Sequence, residues 1–173
     1  MWYVIQIQTG REEKVLEMIR TVIPRELYEE CFYIRRECAR KEGNVWRIQE
    51  APLFPGYLFA DTRDPQGLYV MLRQVPKLTK LLKEDQVFLG VSEEEQEFLE
   101  EIQSEGHVVK RSLVRLNEEK EIIWADGAVG RYFDHIVRQR IRKRYVLIEK
   151  ELLGEKRKIL FGIRTEEDEL AKK

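Results

Sequence analysis

An α+β fold in two parts follows from three features of the 173-residue sequence. The N-terminal half alternates strand-like runs with amphipathic helical stretches. The C-terminal stretch is a series of short strand-like runs punctuated by glycine. The sign of the charge reverses between the two: net −6 over residues 1–106, +7 over 107–164 and −2 over 165–173. The pattern predicts an antiparallel sheet with packed helices over residues 1–106, a linker at 107–111 and a small β-barrel over 112–168. A basic barrel beside an acidic first module is expected to face a polyanion.

In order, Trp2–Gln8 is rich in β-formers and reads as a strand ended by Thr9-Gly10. Arg11–Ile23 places Val15, Leu16 and Ile19 at helical spacing, with Glu12 and Glu13 complementing the dipole and Pro24 stopping the run. A strand lies within Tyr28–Lys41. Gly43-Asn44 signals a hairpin, with Val45–Ile48 as the returning strand. Asp64–Gly67 reads as a turn, Leu68–Val75 as a short helix ended by Pro76, and Val87–Val91 as an edge strand. Ser92 with Glu95 forms a capping box for a helix to about Ser104. Beyond Gly106, strands are expected at Leu113–Leu116, Ile122–Trp124, His135–Val137, Tyr145–Glu149 and Ile159–Ile163. The charged end, Glu166–Lys173, is expected to fray.

Composition excludes several classes. Hydrophobic residues make up 43% of the chain, enough for a packed core. No apolar run approaches a membrane span, and the start has no basic leader, so a cytoplasmic protein is expected. Cys31 and Cys38 lack a zinc spacing, and two histidines with no nucleophile motif or phosphate loop make an enzyme unexpected. No metal or cofactor is expected.

Two stretches carry the functional reading. Leu53-Phe54-Pro55-Gly56-Tyr57-Leu58-Phe59 is a strand interrupted by a turn signal. Proline cannot donate to a ladder, so the strand must begin, bulge or lie at an edge there. Its rings are either core residues or, turned outward by the bend, anchors for another protein. The second stretch, Arg138–Arg144, has five cations in seven residues. On a strand, Arg138, Arg140, Arg142 and Arg144 would share one face; in a hairpin loop they would form a flexible cluster. Lys143, Arg131 and the group Lys156-Arg157-Lys158 add to it. Guanidinium forks suit phosphates and stack on bases.

Trp2-Tyr3-Val4, the helix start Gly10…Glu13-Lys14, the Leu53–Phe59 motif and Val75-Pro76-Lys77-Leu78 resemble, in order, the N-terminal domain of NusG-type transcription factors. The C-terminal half is similar to that family's KOW barrel. It has Gly127-Ala128-Val129 where the family often has Gly-Pro-Phe, and Asp134 where the family has glycine. With the arginine run, these departures make the chain look like a specialised paralogue of the RfaH or LoaP kind, the LoaP-like antiterminators fitting best. The resemblance implies docking on the clamp helices of RNA polymerase through Trp2, Leu53, Phe54, Pro55 and Tyr57. It also implies contact with nascent RNA, a structured leader hairpin, through the basic barrel. Arg11, Arg73, Lys77 and Lys80 become candidates for non-template DNA. Leu153, before the Gly154 turn, occupies the place of a protein-contact residue, so recruitment of Rho or a ribosomal protein stays open, as does a ribosome-associated role for the barrel. A monomer is expected.

Overall fold

Buried and more exposed side chains alternate along Ser112–Arg115, Tyr145–Ile148 and Lys158–Phe161, as they do in strands with one face in a core. The computed structural model describes residues 1–83 and 88–171, so Val87 of the expected edge strand lies outside the described residues. The chain runs β1 (Trp2–Gln6), α1 (Glu12–Val22), β2 (Glu30–Phe32), β3 (Arg35–Glu42), β4 (Val45–Pro52), β5 (Tyr57–Asp61), α2 (Pro65–Gln74), α3 (Pro76–Thr79) and β6 (Leu89–Gly90). It continues with α4 (Glu93–Ile102), β7 (Val108–Val109), β8 (Ser112–Leu116), β9 (Ile122–Ala125), α5 (Gly127–Arg131), β10 (Ile136–Arg140), β11 (Tyr145–Leu152), β12 (Glu155–Thr165) and α6 (Glu166–Ala171). Short 3-10 turns occupy Arg25–Leu27, Phe133–His135 and Ile141–Lys143.

Packing divides the chain into two units: residues 1–33 with 54–97, and residues 34–53 with 98–173. The first unit is a four-stranded antiparallel sheet in the order β2-β5-β1-β6. Its core gathers Ile5, Ile19, Leu58, Leu68, Leu72 and Leu78, all buried, from β1, β5 and the three helices. Asp64 is the N-cap of α2, accepting from Gly67 N–H at 2.9 Å, with Pro65 in the first turn. The expected turn at 64–67 is therefore a helix start, since the same residues that favour turns also favour caps. Ser92 caps α4 as expected, with Glu95 N–H donating to Ser92 Oγ at 3.2 Å, and the Glu95 carboxylate accepts from the Ser92 hydroxyl at 3.0 Å.

The second unit holds two sheets. β3 and β4 make a hairpin around Gly43-Asn44, as expected, and β7 adds in parallel to β3. The five-stranded sheet β10-β11-β12-β8-β9 curls into a half-barrel, with β12 and β8 parallel and its other neighbours antiparallel. Val146, Ile148, Ile159, Phe161 and Ile163 alternate inward along β11 and β12. Gly162 is where β3 approaches: a Cβ there would sit 2.3 Å from the Glu37 carbonyl oxygen. Sequence patterning puts the module boundary at 107–111, whereas the contacts group the β3–β4 hairpin and residues 98–111 with the half-barrel. Backbone pairing across 73 residues, Arg35 with Val108, is what draws them together.

The C-terminal end differs from expectation. Residues 166–171 are a helix, not a frayed tail, because its acids find arginines, and Lys172 and Lys173 of that expectation lie outside the described residues. Arg115 donates to Glu166 at 2.9 Å, Arg144 to Asp168, and Arg164 to Glu169.

Candidate functional site

The Pro-Gly kink is pinned by a buried carboxylate. Glu12, at the start of α1, is 4% exposed and accepts from Gly56 N–H at 2.8 Å and Gly10 N–H at 3.2 Å. Gly56 has φ +83°, and a Cβ there would lie 3.0 Å from the Ile7 carbonyl oxygen. Glycine alone satisfies both constraints cheaply. Its carbonyl accepts from Ile7 N–H at 2.8 Å, closing the kink onto the end of β1.

This geometry sends most of the expected docking face inward. Trp2, Leu53 and Phe54 are 7%, 6% and 6% exposed. Trp2 meets Phe32 edge-on at 5.0 Å, and Phe54 meets Phe59 edge-on at 6.2 Å. Leu53 N–H donates to the Ile34 carbonyl at 2.8 Å. The expectation that these three side chains form an open surface is corrected: their apolar area is worth more in the core. Pro55 is exposed and Tyr57 half-buried, so they are the members of the motif at the surface.

In the same unit Arg73, Lys77 and Lys80 are exposed, and Arg73 and Lys80 line an open groove of about 800 Å³ with Gln8, Pro76, Thr79 and Lys83. Arg73 stacks over Tyr69 at 5.0 Å. Arg11 is exposed but does not line the groove.

The basic run of the half-barrel is only partly a strand. Arg138 and Arg140 stand on one face of β10, opposite Leu147 and Tyr145 of β11, while Gln139 turns to the other side and accepts from Ile122 N–H at 3.2 Å. The strand ends at Arg140. Arg142 and Lys143 continue exposed in the 3-10 turn, so the alternation expected through Arg144 stops. Arg144 turns inward at φ +59°. It grips Asp168 with two bonds of 2.8 and 2.9 Å, donates to the Ile141 carbonyl at 2.6 Å and stacks over Trp46 at 4.7 Å. Burial pushes the Asp168 carboxyl up, but the Arg144 guanidinium and the Thr165 N–H outweigh it and hold the carboxyl below its usual value.

Three other expected contacts are also structural. Arg157 donates to the Leu152 carbonyl at 2.9 Å and pairs with Glu155 at 3.1 Å, its side chain only 15% exposed. Lys156 pairs with Glu149 at 3.0 Å, which raises its pKa above the ordinary lysine value. Leu153 is buried at φ +54°, so it is no surface contact. Arg131, Arg138, Arg140, Arg142, Lys143 and Lys158 remain exposed. Sequence reasoning missed Ile123, Trp124 and Val137, which are 60%, 42% and 50% exposed. Their apolar character signals core, and only the pairing register reveals that they face out.

A family model described as "NusG: Transcription termination factor nusG" matches residues 1–100, which contain the kink and the first unit's sheet. This chain belongs to the NusG family. No curated protein matches it. Among solved structures, one titled "Domain interaction in Thermotoga maritima NusG" is similar at 17% identity, covering 93% of this chain and 92% of that one, with TM-score 0.48. The MjSpt4:Spt5 complex in conformation A is similar at 12% identity, covering 95% and 100%, with TM-score 0.34. As a NusG-family transcription factor, the chain has, among its described residues, no helix long and apolar enough to cross a membrane and no cluster of three metal-ligating side chains.

Proposed function

We propose that this NusG-family chain is an operon-specific antitermination and elongation factor, a specialised paralogue of the LoaP or RfaH kind. Its N-terminal module docks on the clamp helices of RNA polymerase and favours the active over the paused form by binding it more tightly. Its basic KOW half-barrel holds nascent RNA, a structured leader hairpin, at the complex, raising its local concentration. The protein acts by binding, as a cytoplasmic monomer without cofactor, and catalyses nothing.

The observation that carries this reading is the set Arg138, Arg140, Arg142 and Lys143, exposed together on one edge and its turn and without an ion pair among the described residues. A surface of this kind is built for a polyanion. Pro55 and Tyr57 supply the exposed part of the polymerase contact, on a kink that Glu12 makes rigid. The groove at Arg73 and Lys80, with Lys77 nearby, is the candidate for non-template DNA. Recruitment of Rho or a ribosomal protein through Leu153 gains no support, because that side chain is buried.

Run-off transcription across a terminator tests the proposal. Read-through should rise when the protein and a cognate leader are both present, and fall to background with Arg138, Arg140 and Arg142 changed to alanine. Equal read-through on a template without a leader would favour a general elongation factor.

A further inference from the structure

The half-barrel has two sheet edges, β9 and β10, and both are bulged. The register of β9 against β8 slips between Arg115 and Leu116, leaving Ile123 as the extra residue. The register of β10 against β11 slips between Ile136 and Arg138, leaving Val137 as the extra residue. Both side chains are at least half exposed. The Gln139 amide oxygen accepts from Ile122 N–H at 3.2 Å, so the two edges lie one side chain apart. On the β9 side, Trp124 is 42% exposed, with the Arg115 guanidinium over its ring at 4.8 Å. Glu166 holds Arg115 at 2.9 Å, which steadies the stack and neutralises that arginine. On the β10 side, Arg138 and Arg140 are exposed with no partner among the described residues.

We infer that the β9–β10 seam is a stacking platform for unpaired RNA nucleotides. Trp124 takes the face of a base, Ile123 and Val137 flank it, and Arg138 and Arg140 take the phosphates. The inference rests on the RNA-contact reading above and deepens it, naming the unpaired nucleotides of the leader hairpin, those of its loop, as the ones that stack.

Three observations single out this occupant. Cations without counter-ions favour a polyanion over a neutral surface. The bulges interrupt the ladder on both edges, which disfavours a protein strand adding to either one. A single exposed indole stacks on a base only when that base is free of its neighbours, and A-form duplexes keep their bases stacked on each other.

The test uses the full-length protein and fluorescence anisotropy with labelled dodecamers of oligouridylate, oligodeoxythymidylate and a blunt RNA duplex, across a series of salt concentrations. Trp124→Ala should weaken oligouridylate binding by about five- to 150-fold, the range of one base stack. The salt slope and duplex affinity should stay unchanged, and Trp124→Phe should restore most of the loss. Arg138→Ala with Arg140→Ala should instead flatten the salt slope by about 1.4, two phosphate contacts on a single strand. Oligouridylate binding indifferent to Trp124→Ala, in a variant with an unchanged circular dichroism melt, overturns the platform while arginine-dependent RNA binding leaves the broader reading standing. Equal loss on the duplex overturns the single-strand assignment. Oligodeoxythymidylate bound as tightly as oligouridylate overturns the choice of RNA. Wild type binding neither RNA overturns the platform, while the hairpin reading falls only if read-through does not depend on the leader.

Discussion

The Pro-Gly kink and the basic strand were the two loudest signals in the chain, and the fold treats them in opposite ways. At the kink, almost every group finds a partner: Glu12 takes two backbone N–H groups, Gly56 closes on Ile7, and Phe54 and Trp2 go into an aromatic cluster. Along β10 and its turn, Arg138, Arg140, Arg142 and Lys143 are left in solvent. A region that satisfies its own groups reports on stability. One that leaves charges open reports on a partner. The contrast also runs inside the basic run, where Arg144 alone is committed to Asp168 and Trp46.

The sharpest way to break this comparison is to damage the kink. Phe54→Ala should cost about 3–5 kcal/mol of stability, the usual range for truncating a buried Phe, read as a lower urea midpoint. A loss of only a few tenths would mean that the ring is not a core residue and would restore it to the docking face. On the other region, Arg138→Ala, Arg140→Ala and Arg142→Ala combined should leave the melting temperature nearly unchanged. RNA affinity should fall at low salt, with a salt slope smaller by about 2 to 3 if each contacts one phosphate. An unchanged slope would mean that the run is only a solvated face.

Tyr57→Ala separates the two roles within the motif. The residue is half-buried, so polymerase affinity should fall by about 1–2 kcal/mol, with a smaller change in unfolding. Loss of stability without loss of affinity would place the ring with Phe54. The smallest effect belongs to the Arg144–Asp168 pair. The Asp168 carboxyl is held below its ordinary 3.8 in the folded chain, so its contribution is complete above that value and disappears as pH falls through the lowered one. The stability advantage of wild type over Asp168→Asn should therefore be flat at neutral pH and shrink below about pH 4. A gap that instead widened in acid would show that the carboxyl is not stabilised by Arg144.

Most elements could be read in advance where one periodicity ruled: α1 from Val15, Leu16 and Ile19, the β3–β4 hairpin from Gly43-Asn44, and α4 from the Ser92 cap. Local ambiguity cost the rest. Asp64–Gly67 has turn chemistry that is also cap chemistry, and α5 hides in Gly127–Arg131, where glycines read as a break. Of the candidate site, the basic edge was legible because like charges in sequence rarely all find partners. Its aromatic neighbour Trp124 was not, since an apolar residue in a short strand gives no hint of which face it takes until the bulge at Ile123 sets the register.

By itself the sequence determined the kind of elements, the family signature in the first 100 residues and the sign of the charge in each part. These depend on residues close along the chain. Only the tertiary structure decided which cations are open and which rings are hidden. That choice depends on partners far away in sequence, such as Asp168 for Arg144, Phe59 for Trp2 and Val108 for Arg35, and distant pairing leaves no local periodicity to read.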